Sequence, residues 1–205
     1  MKLTRRGKIV FGSLFTAMFV AGGIVVLPPA LSPTQAEAQI EQKQYQKRYQ
    51  ERALAKYENA DKLTKTQLVD LLHAVGFKGE ALRHAWAIVM KESRGNPLSH
   101  NGNRDTGDNS FGLFQINMVD SLGQDRRDKF SLEYNAQLLN PVVNAQITYH
   151  MSNKGSNWRA WKGVNNPKVK GWLKRFPEAH AKALAKAKAK AIGEAPSEMA
   201  GLSSK

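Results

Sequence analysis

A single carboxylate stands where a helix would open into a polar loop. Leu82, Ala85, Trp86, Val89 and Met90 recur at the three-then-four spacing of a helix with one buried stripe, which puts Glu92 on its last turn. Arg94, Gly95, Asn96 and Pro97 stop the helix directly afterwards. A carboxylate behind an apolar stripe is partly desolvated, and desolvation disfavours its charged form. Glu92 is therefore read as a general acid for work near neutral pH. The competing reading is a glutamate in a surface salt bridge, and the residues downstream decide between them.

Other chemistries lack their residues. The chain has no cysteine, which excludes a disulfide framework and a thiol nucleophile. His73, His84, His100 and His150 have no second His, Asp or Cys at metal-ligating spacing beside them. Asn101, Asn103 and Asp105 match the first ligand positions of a calcium loop, but Thr106 stands where the sharp turn needs Gly and Gly112 where a bidentate Glu is required. No metal and no organic cofactor is expected. There is no zinc-finger spacing, aromatic RNA-binding pattern or Walker loop, so no specific nucleic-acid partner is expected either.

Positioning Glu92 takes a small helical frame. Thr64 and Gln67 have the spacing of a capping box, Leu68, Leu71, Leu72 and Val75 form an apolar stripe, and Gly76 ends that helix. The chain turns at residues 77–79 and enters the helix of Glu92. Residues 96–111 are nearly all Asn, Asp, Gly, Ser and Arg, a composition that favours turns over regular elements. Asn140 and Pro141 open a later helix as cap and first residue, and Asn144, Ala145 and Tyr149 lie on it.

Glu92-Ser93, then Ser110-Phe111-Gly112-Leu113-Phe114-Gln115-Ile116-Asn117, then Asn144-Ala145 and Tyr149 form three ordered motifs. Over residues 64 to about 163 the chain resembles the lytic transglycosylase domain of the lysozyme-like superfamily, most of all its versions in phages and Gram-positive bacteria. The resemblance implies a mostly α, lysozyme-like α+β fold: one small catalytic domain with an irregular or weakly β lobe beside a sugar-binding cleft. It implies cleavage of the bond between N-acetylmuramic acid and N-acetylglucosamine in peptidoglycan glycan strands. Glu92 would protonate the leaving oxygen, the substrate's acetamido group would stabilise the charged carbon, and Glu92 as base would activate the muramyl 6-hydroxyl to close a 1,6-anhydro ring.

On the same resemblance, Ser93 belongs to the site as partner of Glu92. Gln115 and Asn117 hydrogen-bond the sugar or position the loop, Phe114 replaces the common Met, and Ser110 orients Glu92 or contacts the acetamido group. Tyr149 would hold Glu92 through its hydroxyl. Read from its helix alone, Tyr149 is equally a core-edge aromatic with its hydroxyl in water, and Trp161 either meets the sugar or closes the helical core. Animal-type lysozymes place an Asp where Ser110 stands. A hydrolytic muramidase would need Asp105 or Asp108 as second carboxylate, about 5–5.5 Å away in a retaining enzyme or about 6.5–9.5 Å away in an inverting one. A third reading is a wall-binding or virion structural protein that keeps the cleft for binding; the presence of Glu92 speaks against it.

At 205 residues the chain has room for one folded unit plus tails. Its 31 Lys+Arg against 17 Asp+Glu give a net charge of +14, which points to anionic surroundings. Lys2, Arg5, Arg6 and Lys8 precede an uncharged run over 9–27, and Ala36-Glu37-Ala38 follows, so residues 1–38 read as an export signal. The run is either removed by cleavage before Gln39, which Gly12, Ser13, Thr16, Gly22 and Gly23 favour by diluting it, or kept as a membrane anchor. The domain behind it would face outward in either case, secreted or wall-associated if the run is cleaved and membrane-anchored if it is not. Residues 39–63 read as a polar stalk, with Tyr45, Tyr49 and Leu54 too sparse for a continuous apolar face. Residues 64–164 hold the catalytic domain, and 165–177, with Trp172 and Phe176, a closing segment. Residues 178–205 form an Ala/Lys-rich tail, helical by propensity and without a face to bury, expected to be mobile and to meet anionic wall polymer by salt-sensitive charge.

Overall fold

The computed structural model describes residues 33–194. The apolar run 9–27 lies outside the described residues, and Ala36-Glu37-Ala38 falls inside the first described helix, α1 (Pro33–Ala55). No helix among the described residues is long and apolar enough to cross a membrane.

The frame is built around α2 (Lys65–Val75) and α3 (Gly79–Glu92). Thr64 starts α2 through a capping box: its Oγ1 accepts from Gln67 N at 3.2 Å, and Gln67 Oε1 accepts from Thr64 N at 2.9 Å. Leu68, Leu71, Leu72 and Val75 are buried, as the stripe requires. Gly76 closes the helix at φ +128°, where a Cβ would meet Tyr149 Cζ at 3.1 Å. Along α3 the predicted stripe is buried, and Ala87 and Ile88 are buried with it, because α3 packs against both α2 and α6 (Pro167–Leu173). Trp86 donates its indole N–H to Lys65 O at 3.1 Å and meets Trp172 and Phe176 edge-on at 6.2 and 5.6 Å. The closing segment is thus part of the core: Asn166 caps α6 by accepting from Lys168 N, and Val169 is fully buried.

Between α3 and α4 (Asp120–Phe130) the polar stretch forms a minimal antiparallel sheet in the order β1 (His100–Asn101), β2 (Ser110–Phe111), β3 (Ile116–Asn117). Phe111 stands opposite His100 on one side and Ile116 on the other. A 3₁₀ turn at Asn135–Leu139 leads into α5 (Pro141–Met151), which Asn140 caps by accepting from Val142 N and Val143 N. The result is mostly helical with a small β lobe, the α+β lysozyme-like arrangement that the sequence implies.

Two segments differ from expectation. The stalk is α1, and its C-terminal end packs on α2: Gln50 Nε2 donates to Ala74 O at 2.9 Å, and Leu54 and Tyr57 are buried. The sparse apolar residues gather at that end, so the folded unit begins ahead of Thr64. The first part of the expected mobile tail is α7 (Glu178–Glu194), which packs on α2 and α1. Its alanines allow close approach, and polar contacts fix its first turn. Glu178 pairs with Arg83, and His180 Nε2 lies 2.6 Å from Asp70 Oδ1. Asp70 also accepts from the Tyr57 hydroxyl at 3.4 Å; burial first, and the Asp70 charge second, push that phenol up to about 12.

Candidate catalytic site

Helix α3 ends on the glutamate. Ser93 is its C-cap, donating its backbone N–H to Val89 O at 2.9 Å, and Arg94 and Gly95 turn the chain away at φ +57° and +83°. The Glu92 side chain keeps 21% exposure, and its Oε1 lies 2.6 Å from Lys91 Nζ. Lys91 is 12% exposed and also donates to Trp161 O at 3.2 Å. The carboxylate is thus held on the protein side by one cation and keeps a face open to solvent. Sequence reasoning missed Lys91, because adjacent residues on a helix ordinarily point apart. Here the ends of the two long side chains meet on the last turn.

Opposite this end lies the turn Gly112–Gln115. Ser93 Oγ donates to Leu113 O at 2.7 Å, tying the turn to the end of α3. Ser99 O accepts from Gly112 N at 2.7 Å and from Gln115 Nε2 at 3.0 Å, which binds the same turn to the segment between Glu92 and β1. Gly112 sits at φ +74° with any Cβ only 2.2 Å from Leu138 O, so glycine alone fits. Asn144, fully buried, completes the clamp. Its Oδ1 accepts from Phe114 N at 3.0 Å, and its Nδ2 donates to Phe111 O and Leu138 O, both at 2.9 Å. The sequence showed Asn144 as part of a motif without a role; an asparagine on the buried face of a helix was the available sign. Replacing Ser93 by Ala should lower stability by about 1–2 kcal/mol, read as a lower denaturant midpoint, since Leu113 O loses its donor. An unchanged midpoint would mean that the tether contributes nothing.

The remaining expected site residues sort into loop-holders and core. Gln115 Nε2 also donates to Gly112 O at 3.0 Å, so its amide hydrogens are spent on the turn. Asn117 Oδ1 accepts from Asn109 N and Val119 N at 3.2 and 3.1 Å and braces the sheet. Ser110 is buried and donates to Asp108, not to Glu92; the other Asp108 oxygen accepts from Asn101 Nδ2 at 2.7 Å. Asp105 is exposed on a 3₁₀ turn at Arg104–Thr106.

Two expected roles are corrected. Tyr149 does not hold Glu92. Its ring packs edge-on against Phe77 at 4.9 Å and beside Gly76, at the opposite end of α3, a helix about 20 Å long at 1.5 Å per residue. It is the core-edge aromatic. Trp161 is 5% exposed and donates its indole N–H to Phe114 O at 2.7 Å, so it closes the core and offers no face to a sugar.

A groove of about 1150 Å³ opens at Leu98, six residues past Glu92, and continues along α5 past Gln146 and His150. Leu98 and Tyr134 on its rim are 52% and 57% exposed. None of the expected site residues lines it.

A helical frame ending on a partly exposed glutamate, faced by a braced glycine turn and a minimal sheet, defines a lysozyme-like catalytic domain. Residues 69–163 match the family model described as a lysozyme-like domain. Such a domain acts on peptidoglycan glycan strands as a glycosidase or transglycosylase. Neither a curated protein nor a solved structure gives a match.

Proposed function

We propose that the protein is an exported peptidoglycan lytic transglycosylase that uses Glu92 as acid and then as base. The supporting observation is that the Glu92 carboxylate pairs with Lys91, while the polar contacts of Asp108 run to other residues. Both oxygens of Asp108 are engaged by Ser110 and Asn101, and Asp105 lies exposed on its turn. One-carboxylate chemistry fits that arrangement. Glu92 gives its proton to the leaving glycosidic oxygen as the bond to the sugar carbon breaks, and the acetamido oxygen of the muramyl residue shares the positive charge. The ionised Glu92 then takes the proton of the muramyl 6-hydroxyl as that oxygen bonds to the same carbon, and no water is consumed. The exposed Tyr134 and Leu98 give the neighbouring groove apolar surface on which sugar rings or the peptide stem can lie. Export rests on the basic and apolar pattern of residues 1–38.

The hydrolytic alternative has one observation in its favour. Ser110, at the position of the second carboxylate in animal-type lysozymes, hydrogen-bonds Asp108 and so brings a carboxylate near it. Mass spectrometry of muropeptides released from purified peptidoglycan separates the two. Products lacking one water, with a 1,6-anhydro-muramyl end, are expected; reducing ends would replace this reading by hydrolysis with Asp108.

A further inference from the structure

Away from Glu92, α7 and the turn between α2 and α3 enclose a cavity of about 700 Å³. The inner stripe of α7 runs through Ala181, Leu184, Lys188 and Ile192, so a lysine stands where the spacing calls for an apolar residue. Lys188 is half-buried there, with Lys78 from the facing turn and Lys182 on the rim. The acids at this cavity are already taken: Glu80 and Glu178 pair with Arg83, and nearby Asp70 is held by His180 and Tyr57. No carboxylate among the described residues lies within 4.0 Å of Lys78, Lys182 or Lys188. His73, only 8% exposed, lines the same cavity, and its ring makes no hydrogen bond among the described residues. Lys78 also leaves α3 without a side-chain cap, and Gly79 and Glu80 of its first turn line the cavity.

Like charges without a paired acid of their own destabilise the empty protein and favour an anion that bridges them. Burial, then Lys188 and Lys78, lower the pKa of His73, with Asp70 opposing; burial and Lys78 lower that of Lys188. We infer that this cavity is an anion site that takes a phosphate group of a phosphodiester wall polymer, with Lys78, Lys182 and Lys188 as the cationic ligands. The choice of a wall polymer over other phosphate carriers rests on the peptidoglycan reading above, because such polymers lie beside that substrate; the phosphate chemistry rests on the cavity alone.

The test is titration calorimetry of the full chain with poly(glycerol phosphate) free of glycan, at low salt. Wild type should bind saturably, and the Lys78→Met/Lys188→Met double variant at least about tenfold more weakly. A Lys168→Met/Lys170→Met control, exposed on α6, should bind like wild type. Inorganic phosphate should bind at the same lysines, more weakly than the polymer. Thermal unfolding supplies a readout opposite in sign to a structural role. Without ligand, Lys188→Met should melt higher than wild type, and added polymer should no longer raise its midpoint. Equal loss in the control would mean diffuse charge, and absence of saturable binding would mean no site. Tighter, lysine-dependent capture of duplex DNA or of anionic phospholipid vesicles, or phosphate binding that the polymer does not improve, would overturn the wall-polymer assignment. Cleavage of peptidoglycan stripped of such polymers should be unchanged in the double variant, so failure of the catalytic reading and failure of this site are read separately.

Discussion

Glu92→Gln is expected to lower the rate of glycan cleavage by at least about 10²–10⁴-fold, the usual worth of a positioned acid–base group. The loss strikes twice, because the same carboxylate is needed to protonate the leaving oxygen and then to deprotonate the muramyl 6-hydroxyl. The amide is nearly isosteric, so packing at the end of α3 should survive. The charge change does leave Lys91, only 12% exposed, with Trp161 O as its other partner, and a stability loss of about 1–3 kcal/mol is expected from that alone. The rate is therefore measured on protein shown to be folded by circular dichroism and a denaturant midpoint, with purified peptidoglycan as substrate. Activity within a factor of ten of wild type would move the catalytic role elsewhere. Loss of activity together with loss of the fold would leave Lys91–Glu92 as a structural pair.

Local rules carried most of the frame from sequence to structure. The capping box at Thr64, the stripes on α2 and α3, the Gly76 stop and the Asn140–Pro141 start all depend on residues within a turn or two of one another. What escaped reading depends on surfaces supplied from far along the chain. Residues 178–194 look faceless alone, yet Asp70, 110 positions away from His180, gives α7 an anchor. Tyr57 uses the other oxygen of the same carboxylate, which is why the stalk joins the fold before Thr64. Tyr149 illustrates a different limit. Motif order places it on the right helix, but how α5 docks on the frame sets its ring beside Gly76, at the far end of α3 from Glu92, and no local spacing shows that. For Lys91, spacing gives no indication at all, since adjacent positions on a helix are not ordinarily partners.

Asn144→Ala is expected to be the most damaging substitution away from Glu92, because its side chain bridges α5 to three separate backbone groups around the glycine turn. Its removal leaves Phe114 N and Leu138 O without this partner in a buried place, and Phe111 O without it in a half-buried one. At about 1–3 kcal/mol for each orphaned group the loss is ~3 kcal/mol or more, a large share of the roughly 5–15 kcal/mol that holds a domain together. Asn144→Asp should rescue little: it keeps the acceptor for Phe114 N but turns a carboxylate towards two carbonyl oxygens. Activity should fall further than the folded fraction does. The turn that Asn144 clamps is also the one that Ser93 Oγ grips at Leu113 O and that Trp161 grips at Phe114 O, while Trp161 O holds Lys91 against Glu92. Loosening the clamp thus reaches the carboxylate by two routes. Denaturant midpoints and cleavage rates per folded molecule check both halves. A stability loss below about 1 kcal/mol would show that Gly112 packing and Trp161 suffice to hold the turn, and an unchanged rate per folded molecule would cut the link from α5 to Glu92.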